Sequence, residues 1–145
     1  MDRRGVLEAF GHTFYRAVNM HINAIDHIVL TVKNIDKSVA FYTSVLGMQM
    51  RVFGEKRVAL FFGKQKINLH KATEELLPHA KHPTSGSADI CLITDTPLEE
   101  AMQEVSKHAV AIEEGPVQRS GAQGDIISFY IRDTDGNLIE IANKI

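Results

Sequence analysis

Asp26-His27-Ile28-Val29-Leu30-Thr31-Val32 is the stretch whose reading decides the fold, and Asn137-Leu138-Ile139-Glu140-Ile141 gives it its meaning. Both are short, β-branched runs of strand length. Each carries an ionisable residue where the inner face of a buried strand should hold only apolar ones. An unpartnered His or Glu on such a face costs several kcal/mol. A divalent metal ion would satisfy both, so the two runs point to a metal site borne on strands.

Outward from Asp26, the chain reads as two similar halves. The first opens with a strand at Ile25–Val32. Asn34 caps a helix through about Leu46, with Ile35, Val39, Tyr42 and Leu46 on one face and Gly47 as its stop. Strands are expected at Gln49–Phe53, Arg57–Phe62 and Lys66–Lys71, turned at Gly54-Glu55 and Gly63-Lys64. The second half repeats the order. Asp89–Thr94 is a strand, and Thr96-Pro97-Leu98-Glu99 reads as a capping box with Pro at the first helical position. Its helix carries Leu98, Ala101, Met102, Val105 and Ala109, and strands follow near Ala111–Glu114, Asp125–Arg132 and Leu138–Asn143. Asp135-Gly136 is the last turn.

The two halves match in pattern: Asp26-His27-Ile28-Val29-Leu30 with Ala88-Asp89-Ile90-Cys91-Leu92, and Ile67-Asn68-Leu69-His70 with Ile139-Glu140-Ile141-Ala142. Such repetition constrains the fold. The expected class is α+β: two βαβββ modules forming one curved mixed sheet with helices outside. Module one spans 23–75, a linker 76–87 and module two 88–145, in a single domain 23–145. Residues 1–22 stand apart as an N-terminal extension, with Met20 a candidate true start. Arg3, Arg4 and Arg16 with Phe10, Phe14 and Val18 suit a basic amphipathic helix.

Strand parity decides which side chains can meet. Ile28, Leu30 and Val32 belong under a helix, which turns His27, Val29 and Thr31 into the concavity. By the same rule Asn68 and His70, Asp89 and Cys91, Leu138, Glu140 and Ala142, and Ile126, Ser128 and Tyr130 face inward. Polar residues then converge from five strands onto one surface, unusual for a purely structural sheet. Competing readings are a core histidine for His27, an ordinary ion pair for Glu140 and an exposed strand-end residue for His70. Asp89 has the preceding loop as an alternative partner, and Tyr130 suits a core wall. Arg119 sits in Gln118-Arg119-Ser120-Gly121-Ala122-Gln123-Gly124, read as a flexible Gly-rich loop, where it would grip a carboxylate or phosphonate or stay solvated. His79, His82 and His108 read as surface residues and Cys91 as packing.

Composition narrows the class. The chain has 145 residues, 44% hydrophobic and 23% charged, and a net charge of −2, which gives no basis for binding nucleic acid or an acidic membrane surface. No apolar run reaches membrane-span length, and the first 22 residues hold no secretory h-region. The single Cys91 cannot form an internal disulfide, which fits a cytoplasmic protein.

The segments Asp26 to Val32, Phe41-Tyr42-Thr43-Ser44-Val45-Leu46-Gly47-Met48 and Ile131-Arg132-Asp133-Thr134-Asp135-Gly136-Asn137-Leu138-Ile139-Glu140 resemble the vicinal oxygen chelate superfamily. That superfamily includes glyoxalase I, fosfomycin-resistance enzymes, methylmalonyl-CoA epimerase, extradiol dioxygenases and bleomycin-binding proteins. The resemblance covers about Ile22 to the C-terminus. Lys66-Ile67-Asn68-Leu69-His70 and Ile112-Glu113-Glu114-Gly115-Pro116-Val117 with Arg119 are similar to a narrower group, that of glyoxalase domain-containing protein 5 and bacterial lactoylglutathione lyase-like virulence proteins.

The resemblance implies metal ligands at His27, Asp89 and Glu140, with Asn68 where glyoxalase I has a Glu. His70, two residues on along the same face, is a candidate metal ligand that would supply the missing imidazole. The chain departs from the pattern at Asp89, which replaces a His, and at Asn68, a poor ligand and no general base. A His, His, Glu/Asp set with open positions suits Zn²⁺, Ni²⁺, Mn²⁺ or Fe²⁺. The implied activity is that of a metal-dependent lyase or isomerase. A small substrate with vicinal oxygens, or its thiol adduct, would chelate the ion and form a stabilised enediolate. Glu140 and His70 are the candidate proton carriers, and Asn68, Arg119, Ser128 and Tyr130 the candidate substrate contacts. Thiol or water addition to an epoxide is the alternative, and a non-catalytic binder that sequesters a small molecule is a third. A homodimer, sometimes with modules exchanged, is the expectation by analogy.

Overall fold

The computed structural model describes residues 4–9, 12–17 and 19–145, the first two stretches as backbone only. Strands β1 (Arg4–Ala9) and β2 (His12–Ala17) form an antiparallel hairpin. The helix expected there is not what the chain adopts. Val6, Thr13, Phe14 and Tyr15 favour extended backbone. Arg3, Phe10 and Val18 of the expected helix lie outside the described residues. Met20, Ile22 and Ile25 are exposed in an irregular run, so the first domain strand starts at His27.

The body is two βαβββ modules. The first is β3 (His27–Val32), α1 (Ile35–Ser44), β4 (Gln49–Phe53), β5 (Arg57–Phe62) and β6 (Gln65–Lys71). The second is β7 (Asp89–Ile93), α2 (Leu98–Lys107), β8 (Glu114–Gly121), β9 (Gly124–Arg132) and β10 (Leu138–Lys144). Asn34 caps α1 as its sequence position predicts, Oδ1 accepting from Lys37 N at 2.9 Å. The expected box at α2 does not form. Pro97 is itself the N-cap, in extended backbone, and no side chain among the described residues caps the helix.

The single curved sheet resolves into two four-stranded mixed sheets of orders β3-β6-β5-β4 and β7-β10-β9-β8. In each, the first and last strands of a module run parallel and the remaining pairs antiparallel. The helix-facing side chains of both sheets join one core, which includes Leu30, Val32, Tyr42, Leu60, Ile67, Val105, Phe129, Ile131, Ile139 and Ile141. The two inner faces therefore lie on the far sides of their sheets from a shared core. The five-strand convergence expected within one chain is instead divided between two surfaces.

A second expectation fails at β8. The presumed loop around Arg119 is strand, paired to β9 from Val117 to Gly121. Gly115 and Pro116 conceal it in the sequence. Pro is tolerated because β8 is an edge strand. Gly115 (φ 122) marks a bulge between Glu114 and Val117, where a Cβ would sit 2.7 Å from Phe129 Cα.

Polar contacts clasp the modules together. Tyr42 donates to Asp133 Oδ2 at 2.6 Å, and Lys33 N donates to Asp135 Oδ1 at 2.8 Å. Asp133 also accepts from the backbone N–H groups of Asp135 and Asn137 and from the Asn137 amide. Burial, together with the Asp133 carboxylate, holds the Tyr42 hydroxyl far above its usual pKa.

Candidate functional site

On the second sheet the inner-face residues meet as parity predicts. Glu140 on β10 is flanked in register by Cys91 on β7 and Tyr130 on β9. Ser128, fully buried, donates to Glu140 Oε2 at 2.6 Å. That fixes one carboxylate oxygen. Arg119 Nε donates to the Tyr130 hydroxyl at 3.0 Å, and its Nη2 to Glu114 Oε1 at 3.1 Å. The Tyr130 bond, then Glu114, raises the Arg119 pKa further. Cys91, read in sequence as packing, stands beside Glu140. Burial and then the Glu140 charge push its thiol up to about 11. Asp89 pairs in register with Leu138, one same-face step, about 7 Å, from the Cys91–Glu140 pair. Cys91, Arg119, Gly121, Gly124, Glu140 and Lys144 border an open cleft of about 650 Å³.

The first sheet presents different chemistry. His27 is half-exposed, and its Nδ1 is 2.8 Å from Asp26 Oδ2. This is the carboxylate–imidazole arrangement that orients a metal-ligating histidine and leaves Nε2 outward. Asn68 (4% exposed) and His70 (5%) follow on the same face of β6. Asn68 Oδ1 and both His70 ring nitrogens are buried without a hydrogen-bond partner among the described residues. Burial, then the nearby Arg57 charge, lowers the His70 pKa and keeps the ring neutral.

The register separates the two imidazoles. His27 pairs with Lys66, and His70 lies four residues further, about 13 Å along the strand. One ion cannot take both. Across sheets, no group of three or more His, Cys, Asp or Glu among the described residues is placed to hold a metal ion. The structure thus brings together Glu140, Ser128 and Cys91, joins Arg119 to Tyr130, and sets Asn68 beside His70. It leaves His27 on a different surface from Asp89 and Glu140.

Sequence reading missed the layer over Asn68. Arg51 stacks on Phe61 (4.4 Å to the ring centroid), Arg57 on Phe53 (4.8 Å) and Lys66 on Phe53 (4.1 Å). Lys66 and Phe53 stand at opposite corners of the sheet, so the lysine stem crosses the face. Parity on β4 and β5, applied as it was on β6, would have found these residues.

The comparisons agree with this architecture. Residues 24–141 match the family model of the Glyoxalase/Bleomycin resistance protein/Dioxygenase superfamily. Virulence protein STM3117 of Salmonella typhimurium is 49% identical over 131 residues, 90% of this chain and 91% of that one. Metallothiol transferase FosB of Staphylococcus epidermidis is 31% identical over 120 residues, 83% of each chain. An integron cassette protein from the mobile metagenome of V. cholerae superposes with TM-score 0.87 at 52% identity, over 88% of this chain and all of that one. With its duplicated βαβββ modules and a matching family model from β3 into β10, the chain belongs to the glyoxalase/bleomycin resistance protein/dioxygenase superfamily.

Proposed function

We propose that this protein is a metal-dependent lyase or isomerase of glyoxalase type, acting on a small substrate with vicinal oxygens at a site shared by two copies of the chain. The observation that carries this reading is the division of the donors. His27, oriented by Asp26, lies on one inner face, and Glu140, oriented by Ser128, lies on the other. A second copy that sets its second sheet against the first sheet of its partner would unite them. Both donors are held from one side, as ligand side chains commonly are, so the residues fit a divalent ion. His27 from one copy and Asp89 and Glu140 from the other would hold it. Zn²⁺, Ni²⁺, Mn²⁺ and Fe²⁺ all suit this set.

When bound, the ion would supply Lewis acidity to two adjacent substrate oxygens. The chain's own residues do the remaining work. Glu140 carries the transferred proton, and the Ser128 hydroxyl keeps its carboxylate in place. The two apposed faces exclude water. Asn68 offers an amide where a second carboxylate base would stand, so Glu140 works without that partner.

A second reading, transfer of a thiol to an electrophilic carbon such as an epoxide, is favoured by the Arg119–Tyr130 pair beside Glu140. The relation to a metallothiol transferase favours it too.

A mixing experiment tests the shared site. His27→Ala and Glu140→Ala should each abolish Zn²⁺, Ni²⁺ and Mn²⁺ binding in calorimetry. Unfolded together and refolded, they should recover about a quarter of wild-type sites, because half the pairs are mixed and each mixed pair has one intact site. No recovery would sink the two-copy site, and no wild-type metal binding would sink the metal reading. Turnover of 2-oxoaldehyde–thiol adducts as against epoxide–thiol coupling, followed by NMR, separates the two chemistries.

A further inference from the structure

The charged side chains of the two inner faces are treated differently. On the second sheet Arg119 is paired with Glu114 and Arg132 with Glu113. On the first sheet Arg51, Arg57 and Lys66 have no carboxylate within 4 Å among the described residues and rest on phenylalanine rings instead. Beneath them His70 and Asn68 are more than nine-tenths buried, with three polar atoms unpartnered among the described residues. A polar atom left unpaired in a protein interior is destabilising. Glu75 is the acidic residue that bears on this cluster, with His79 also near. Backbone N–H groups of Glu75 itself and of Thr73 already engage the Glu75 carboxylate.

The unpartnered atoms specify their ligand. A neutral imidazole has one N–H donor and one acceptor nitrogen, and Asn68 Oδ1 is an acceptor. Arg57 precedes Val58, the register partner of Leu69, and so stands beside His70. The cluster therefore offers a donor pair, Arg57 and His70, flanked by acceptors. A carboxylate satisfies the donors, and a hydroxyl next to it satisfies an acceptor. Asn68 and His70 are about 7 Å apart along β6, within the span of a two- to four-carbon molecule.

We infer that the face of the first sheet is the substrate-recognising half of the site and that it selects a small hydroxycarboxylate anion, through Arg57 and His70 on the carboxylate and Asn68 on the hydroxyl. Lys66 and Arg51 supply the remaining positive potential and move off the phenylalanine rings as the anion enters. This rests on reading the inner faces as the substrate site, and it assigns the class of substrate to that site.

The test uses full-length protein with ¹³C-labelled histidine, metal-free in chelator, titrated with glycolate, acetate, glycolamide or inorganic phosphate. Glycolate should move the His70 ring resonances with an affinity about tenfold above that for acetate and for glycolamide, one charge-assisted or hydroxyl hydrogen bond each. Arg57→Gln should weaken glycolate about tenfold or more, and Arg57→Lys should restore part of the loss. The same spectra report whether each variant is folded. Equal responses to glycolate, acetate and glycolamide, a response to phosphate alone, or no response would overturn the assignment. So would unchanged glycolate affinity in folded Arg57→Gln. If that variant weakened self-association instead, the cations would belong to a second copy's acidic face. Metal binding in Arg57→Gln should stay at wild-type level, so loss of anion selectivity and loss of the metal site are read separately.

Discussion

The two modules share a topology and differ in what they place on it. In module one the inner face carries His27, Asn68, His70, Arg51, Arg57 and Lys66, with Phe53 and Phe61 as supports. In module two the equivalent surface carries Asp89, Glu140, Ser128, Tyr130 and Cys91, its arginines held by glutamates. A duplicated scaffold fixes strand directions and side-chain parity. It leaves the residues on the inner face free, because they contribute little to the shared core. One copy of the unit has become imidazole-rich and cationic, the other acidic and hydroxylic. Under the proposed reading the cationic face would hold the substrate and the acidic face the proton carrier, with His27 and Glu140 meeting at the metal between two copies.

The sharpest way to break the comparison is at the metal. Glu140→Ala and His27→Ala act on different faces, yet each should lower Zn²⁺ affinity by more than about a hundredfold in calorimetry, while Ser128→Ala, which loosens Glu140, should cost about tenfold to a hundredfold. If His70→Ala matched His27→Ala, the register argument against His70 would fail.

The clasp between modules is the next test. Asp133→Ala removes the acceptor for Tyr42, the Asn137 amide and two backbone N–H groups. It should cost about 3–5 kcal/mol in urea unfolding, more than Tyr42→Phe at about 1–3 kcal/mol. Because the folded-state pKa of Tyr42 is raised, the unfolded chain loses that proton first. Stability is present below about pH 10 and falls above it. Tyr42→Phe should flatten that alkaline decline.

His70, on β6 of the same module, titrates in the opposite sense. Its folded-state pKa is lowered, so the neutral ring contributes stability above about pH 6.5 that is lost as the pH falls. The urea midpoint of wild type should fall more steeply below that pH than that of His70→Gln; parallel curves would place the ring in water.

Cys91 gives a smaller effect. With its thiol near 11, iodoacetamide labelling at pH 8 should run roughly a hundredfold slower than for free cysteine, and Glu140→Gln should speed it. The smallest effect expected is in Glu113→Gln. It opens an exposed ion pair with Arg132 and should leave the urea midpoint at the wild-type value.

Much of the site was legible because strand parity is local. Ser128 meets Glu140, and Asn68 and His70 share a buried face, as alternation along β9, β10 and β6 requires. The Asn34 cap was legible for the same reason. What escaped reading depended on neighbours. Gly115 and Pro116 disguise β8, whose pairing with β9 and edge position make them tolerable. The cations of module one gain meaning only beside Phe53 and Phe61, which strand pairing brings onto the same face.

The sequence by itself determined the two βαβββ modules, their helix-facing sides and the residues turned the other way, since each follows from periodicity within a few residues. Only the tertiary structure decided how the modules meet. The apolar faces of both sheets bury more area together than apart, so they close on one core through the Tyr42–Asp133 clasp. That closure turns His27 and Glu140 onto different surfaces of one chain, and no pattern along the sequence encodes which of its faces a module shares.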